Sequence, residues 1–289
     1  MDYIPTEFDD DINVTPVHPL INLGYLLGTV FVFGLVVFGS LGAIGAHLAA
    51  HMGPQTEANI GKALVGDFLE DKAAPADLGA AEDTRPEYLK KLILSFYATG
   101  SKPRLPLQVY IVEDALPNAF ILPGGHIFVT STLLEQAESE NELAFVLAHE
   151  LGHFEARDNL KGLGRSLVFI TLASLLDFGG SSSGVINSTI NLSSMSYSRT
   201  QEAQADAFAL RAVVQKYGHS GNSLDFFRRL EQQKDLPVPE IELLSSHPLT
   251  ENRIESLEKF ARDRGMKTTG PATALPERLE CPSFKPCPN

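Results

Sequence analysis

His149 and His153 stand four residues apart with Glu150 between them, in Ala148-His149-Glu150-Leu151-Gly152-His153. On a helix, positions i and i+4 share a face, so both imidazoles can offer a nitrogen to one ion. Glu150 is offset by one position and reaches a water on that ion without ligating it. Two ligands and a general base within five residues is the arrangement of metal-assisted hydrolysis of a peptide bond. The plain alternative is a core helix with two buried histidines. The motif follows Leu143-Ala144-Phe145-Val146-Leu147-Ala148, an apolar run without Gly or Pro that reads as a buried helix starting at Asn141.

A catalytic zinc takes three protein ligands and keeps a fourth position for water. The body of the chain has no cysteine, since Cys281 and Cys287 both lie in the last nine residues, so the third ligand must be His or carboxylate. The candidate is Glu202 in Ser198-Arg199-Thr200-Gln201-Glu202-Ala203-Gln204-Ala205-Asp206. Glu202 and Asp206 are again at i and i+4. Glu202 can ligate while Asp206 accepts a hydrogen bond from the far ring nitrogen of a ligating histidine. Ala203, Ala205, Ala207 and Ala209 would let this helix approach the motif helix closely. Taken alone, the pair reads equally as a solvated acidic face.

The elements that position these residues follow from pattern. Leu107–Val112 alternates and is β-rich, and Asn118–Thr130 reads as two short strands joined by Pro123-Gly124-Gly125. Helices are expected after Thr84, over Gln201–Tyr217 closed by Gly218, and near Ser223–Gln233 and Thr250–Arg264. Leu160–Phe178 is apolar but its clean core is too short for a bilayer span, and Gly179–Gly184 reads as a flexible loop framing the cleft.

Ahead of this, Ile12–Thr56 contains no Asp, Glu, Lys or Arg, and Leu20–Ala50 is long enough for one tilted transmembrane helix. Gly24, Gly28, Gly34, Gly39, Gly42 and Gly45 would admit another membrane helix closely, or reflect the general tolerance of Gly there. Lys62 and Lys72 after the span favour a cytoplasmic domain by charge, whereas a disulfide between the two cysteines would favour the opposite side. The side stays open. The net charge of −13 argues against nucleic acid as a partner.

Several blocks in order resemble one family. They are Asn118-Ala119-Phe120 with Leu122-Pro123-Gly124-Gly125 and Ile127-Phe128-Val129-Thr130, and Asn141-Glu142-Leu143-Ala144 with Val146 to His153. Ser198-Arg199 with Glu202 and Ala205-Asp206, and His247-Pro248 with Arg253-Ile254, complete the set. From about Thr84 to Phe260 the chain resembles the membrane-associated zinc metallopeptidases of the HtpX-like and CAAX prenyl protease type, including Oma-like and BepA-like proteases. It departs from them at Asp158, where many members carry His.

The resemblance implies a mainly helical α+β gluzincin domain with a small sheet, following an N-terminal transmembrane helix. The division is an acidic tail and membrane segment (1–56), the peptidase domain (57–265) and a Pro-rich tail (266–289). One Zn2+ per chain is held by His149, His153 and Glu202, with Glu150 as base and Asp206 and Arg199 behind the ligands. Gly125, His126, Ile127 and Phe128 edge the cleft, where an extended substrate adds as a further strand. His247 either steadies an oxyanion, as Arg199 would in its place, blocks the open metal position, or is a structural loop residue. Protein or peptide substrates and the lipid bilayer are the expected partners, with other membrane proteins docking on the Gly-rich helix. The activity expected is endoproteolysis of misfolded or membrane-associated proteins. The alternative is a zinc-binding subunit or adaptor of a membrane complex without catalysis.

Overall fold

A computed structural model describes residues 18–71, 83–164, 197–233, 247, 253–276 and 279. The expected loop at Gly179–Gly184, the apolar stretch before it from residue 165 onward and both cysteines lie outside the described residues.

Helix α1 (Pro19–Ala50) is capped by the His18 ring, which accepts from the Leu20 N–H, and opens with Pro19. It is long and apolar enough to cross a bilayer, and only 6% of its most apolar window is buried. Its last third differs: Gly42, Gly45 and Ala49 are buried. Helix α2 (Pro54–Asp71) follows at once and lies on the sheet.

The sheet has three strands, β1 (Gln108–Val112), β2 (Ala119–Leu122) and β3 (His126–Thr130), in the order β1-β3-β2. β3 pairs parallel with β1 and antiparallel with β2, with Ile127 opposite both Val109 and Ile121. The tight turn between β2 and β3 needs two residues at positive φ, which Gly124 and Gly125 supply at 88° each. Alternation along β3 sends Ile127 and Val129 into the main core and Phe128 to the other face. There Phe128 stacks with Phe120 and Tyr110 and meets Phe68 of α2 edge-on. Both faces of the sheet are therefore covered.

The core is built around α5 (Glu140–Glu155), which is buried from Asn141 to Phe154. α3 (Arg85–Leu94), α4 (Ser131–Gln136), α6 (Arg199–Tyr217), α7 (Asp225–Gln233) and α8 (Arg253–Asp263) surround it, and residues 158–164 are also helical. Ser139 caps α5 through the Glu142 N–H, and Ser198 with Gln201 forms a capping box on α6. α6 stops at Gly218, in the left-handed region at φ 77°. Residues 266–276 run along the domain: Ser220 N–H donates to Lys267 O, Thr273 O accepts from Glu140 N–H, and Leu275 packs on the core. The chain beyond Gly265 is thus partly built into the peptidase fold, where a separate tail was expected.

α5 and α6 cross closely because Gly152 faces Ala205. A Cβ on Gly152 would lie 2.9 Å from Ala205 Cα. Ala205 and Ala209 are buried at this crossing, while Ala203 is exposed. Gly152→Ala should force the helices apart, costing about 1–3 kcal/mol and lowering the melting temperature by several degrees in calorimetry. An unchanged melting temperature would show that the crossing relaxes freely.

Candidate metal centre

His149 and His153 lie on the last two turns of α5, and Glu202 on the first turn of α6, so the close crossing brings the three together. His153 Nε2 is 3.2 Å from His149 Nε2 and 3.3 Å from Glu202 Oε1. His149 Nε2 is 3.6 Å from Glu202 Oε2. All three residues are buried. Each ring turns its other nitrogen to a carboxylate: His149 Nδ1 lies 2.9 Å from Asp206 Oδ1, and His153 Nδ1 lies 3.2 Å from Asp158 Oδ2. That contact favours the proton on Nδ1, so each ring in its neutral form directs a bare Nε2 lone pair toward the other and toward Glu202.

His247 joins them. Its Nδ1 is 3.1 Å from His149 Nε2 and 2.8 Å from Glu202 Oε1, and its Nε2 is 3.1 Å from Glu150 Oε1. Among the described residues, His149, His153, Glu202 and His247 form a group whose ligand atoms all lie within 4.8 Å of one another. Burial disfavours a charged His247 imidazole, but the Glu150 and Glu202 carboxylates outweigh it and push its pKa up to about 9. Burial likewise works against an ionised Glu150, and the charge of His247 overcomes it, holding the carboxyl below its usual range.

Sequence reasoning gave no role to three neighbours. Arg253, at the start of α8, donates from Nε to Asp206 Oδ2 at 2.9 Å and from Nη2 to Asp206 Oδ1 at 2.8 Å. The same Nη2 is 2.9 Å from Glu202 Oε2, and Nη1 donates to His247 O at 3.3 Å. One guanidinium thus ties together the carboxylate behind His149, Glu202 and the His247 backbone. Tyr197 stacks on His153 with ring centroids 3.9 Å apart and lies 5.2 Å from the His247 ring. Asp158 supports His153 as described and is also 3.2 Å from Lys161 Nζ. Arg253 and Tyr197 stand within or beside the blocks that carry the family resemblance, and that adjacency was the available signal.

Two expected placements differ from the structure. Arg199 opens α6 with an exposed side chain, and the guanidinium at the carboxylate pair is that of Arg253. Gly125, His126, Ile127 and Phe128 do not form a free edge. β3 is the central strand with both hydrogen-bonding sides taken, and Ile127 and Phe128 are fully buried. An added strand has no place there. The edges are β1 and β2, and β2 is the one packed on α5, with Asn159 Nδ2 donating to Ile121 O.

Two histidines one helical turn apart, a carboxylate from a second helix and a glutamate beside them define a metal-centre helix pair of the peptidase type. The chain belongs to Peptidase family M48, whose model matches residues 83–261. It is 27% identical over 185 residues to the mitochondrial metalloendopeptidase OMA1 of Schizosaccharomyces pombe, covering 62% of this chain and 54% of that protein. It is 29% identical over 189 residues to a putative beta-barrel assembly-enhancing protease of Vibrio cholerae, covering 61% and 39%. With the OMA1 of Saccharomyces cerevisiae it shares 30% identity over 161 residues, covering 53% and 46%. The matched region spans about half or less of each of these relatives. The family implies a metal, and the buried His/Glu cluster provides donors for one.

Arg253 is the countercharge on which this cluster depends. Burial disfavours an ionised Asp206, yet His149 and Arg253 together bring its pKa down to about 2 from an ordinary 3.8. A depressed folded value stabilises fully above the unfolded pKa, and the contribution is lost as pH falls through about 2. Arg253→Met should therefore cost the metal-free protein about 3–5 kcal/mol in urea denaturation and move its acid-unfolding midpoint to higher pH. An unmoved midpoint would mean that Arg253 does not hold Asp206 ionised.

Proposed function

We propose that the chain is a membrane-anchored zinc endopeptidase, with His149, His153 and Glu202 as ligands and Glu150 as general base. One observation carries the zinc reading. Tetrahedral zinc with bonds of about 2.05 Å has donor–donor edges of about 3.3 Å. Two edges that meet at His153 Nε2 fit this, 3.2 Å to His149 Nε2 and 3.3 Å to Glu202 Oε1, and His149 Nε2 lies 3.6 Å from the other carboxylate oxygen, Oε2. Nitrogen and carboxylate donors with no thiolate fit a catalytic zinc better than a structural one.

Zinc supplies a Lewis acid and a water of lowered pKa. Asp206 and Asp158 hold the two imidazoles in the ligating tautomer. Glu150 takes a proton from the attacking water and returns it to the departing amine. His247 Nδ1, within 3.1 Å of both Glu202 and His149, fills the position that water requires, while its Nε2 engages the base. We read the arrangement as closed: His247 must withdraw before Glu150 meets a water. This favours the blocking role over the oxyanion role.

An extended substrate would approach along the β2 side of the sheet, beside α5. α1 supports a single-pass anchor, with the side of the membrane open. The relatives' names, metalloendopeptidase and beta-barrel assembly-enhancing protease, support proteins as substrates, and misfolded or membrane-associated ones are the class we propose.

Glu150→Gln should keep zinc, measured by metal analysis, and lose casein cleavage by roughly 10²–10⁴-fold in detergent-solubilised protein. Persisting cleavage would refute the mechanism, and a zinc-loaded wild type inert toward every unfolded substrate would favour the adaptor alternative. For His247→Ala the expected result is weaker zinc binding with faster cleavage. Slower cleavage at full zinc occupancy would return His247 to the oxyanion.

A further inference from the structure

We infer that Arg157 is a positioning residue through which the end of α1 holds His153, so that the apolar helix is part of the metal centre and not a tether. Arg157 follows the end of α5 and has φ 59°, a left-handed conformation that side chains with a Cβ adopt at a cost. The turn it makes is what returns Asp158, five residues beyond His153, to that ring's Nδ1.

The partners that hold this turn come from the apolar helix, the corner after it and the first turn of α2. Arg157 Nη1 donates to Ala50 O at 2.6 Å, and Nη2 donates to Met52 O at 2.6 Å and to Glu57 Oε2 at 2.8 Å. The acceptors include a carbonyl at the C-terminal end of α1, where a cation is favoured. Glu57 is 1% exposed. It is shared with Arg104, whose Nη2 donates to Glu57 Oε1 at 2.9 Å and to Phe154 O at 3.1 Å. A buried carboxylate flanked by two guanidinium groups is fixed in place, because moving either partner strands a charge.

A second contact keeps α1 seated. Residues 158–164 are helical and cross the end of α1 at Gly164, where a Cβ would meet Gly45 O at 2.6 Å and Ala49 Cβ at 3.0 Å. The segment of α1 before Gly42 is about 34 Å long at 1.5 Å per residue, enough for a hydrocarbon core of about 30 Å. The docked third is therefore surplus to spanning. The anchor can cross a bilayer and still hold Arg157.

The inference rests on the zinc reading, and the test separates the two. Full-length protein in detergent or nanodiscs is compared with Arg157→Ala, Arg157→Gly and Gly164→Leu, reading zinc affinity by chelator competition well below each melting temperature. Amide exchange over residues 154–160 of the metal-free proteins reads the turn itself. Arg157→Ala and Gly164→Leu should weaken zinc binding about 10–100-fold and speed exchange. Arg157→Gly, which tolerates the turn without the clamp, should recover most of both. Wild-type affinity and exchange in Arg157→Ala or Gly164→Leu, or an Arg157→Gly as impaired as the alanine variant, overturns the inference. A wild type that binds no zinc overturns the function proposed above, and exchange still decides this one.

Discussion

With both imidazoles neutral, as a metal requires of its ligands, His149, His153 and the Glu202 carboxylate aim their electron pairs into one buried volume and repel each other. Nothing in their own chemistry holds His149, His153 and Glu202 at 3.2–3.6 Å. The surrounding structure has to impose that arrangement until a cation relieves it. Each donor is accordingly fixed from behind: His149 by Asp206, His153 by Asp158, and Glu202 by Arg253. The supporting carboxylates need countercharges of their own, which Arg253 and Lys161 provide. The Gly152–Ala205 crossing sets the distance, because any larger pair of residues would draw Glu202 away from the histidines.

α5 is immobilised at both ends for the same reason. At its start, Glu140 accepts from the hydroxyls of Tyr88 and Tyr217, and its N–H donates to Thr273 O. Arg229 pairs with Glu142 two residues on. At its finish, Arg104 bonds Phe154 O and Tyr97 bonds Glu155. These contacts come from α3, α6, α7, the segment before β1 and the chain after α8, so the motif helix gathers most of the domain around it. Burial of Tyr88 and Tyr217, reinforced by Glu140, pushes both phenols well above their usual pKa and keeps them as donors.

Much of this was legible in the sequence because it follows a period. The 3.6-residue repeat put His149 with His153 and Glu202 with Asp206 on shared faces, and the expected starts of α5 and α6 at Asn141 and Gln201 lie within two positions of the observed ones. The strands before and after Pro123-Gly124-Gly125 were legible from alternation. What periodicity does not carry is pairing between distant segments. The order β1-β3-β2 makes β3 central, and no local pattern in Gly125–Phe128 distinguishes a central strand from an edge. Arg253 reaches Asp206 across 47 residues of chain and Arg157 reaches Ala50 across 107. An arginine in a helix reads as surface charge until its acceptors are known. The Pro-rich composition after Gly265 does not reveal that Thr273 pairs with the head of α5.

The same fixation limits where a change of state can occur. A water cannot enter between His149, His153 and Glu202 by moving α5 or α6, since each shift would strand buried charges at Asp206, Asp158 or Glu57. His247 is different in kind. It belongs to neither helix of the pair, and it touches Glu150, Glu202 and His149 through one ring. Withdrawing that ring takes a cation away from Glu150 and Glu202, a cost that a bound metal would offset under the function proposed above. Opening of the kind proposed above would then be local to one side chain, with no repacking of the core around α5. Under the function and the inference proposed above, Arg157 would fix the geometry of His153 and His247 would govern access to the same site.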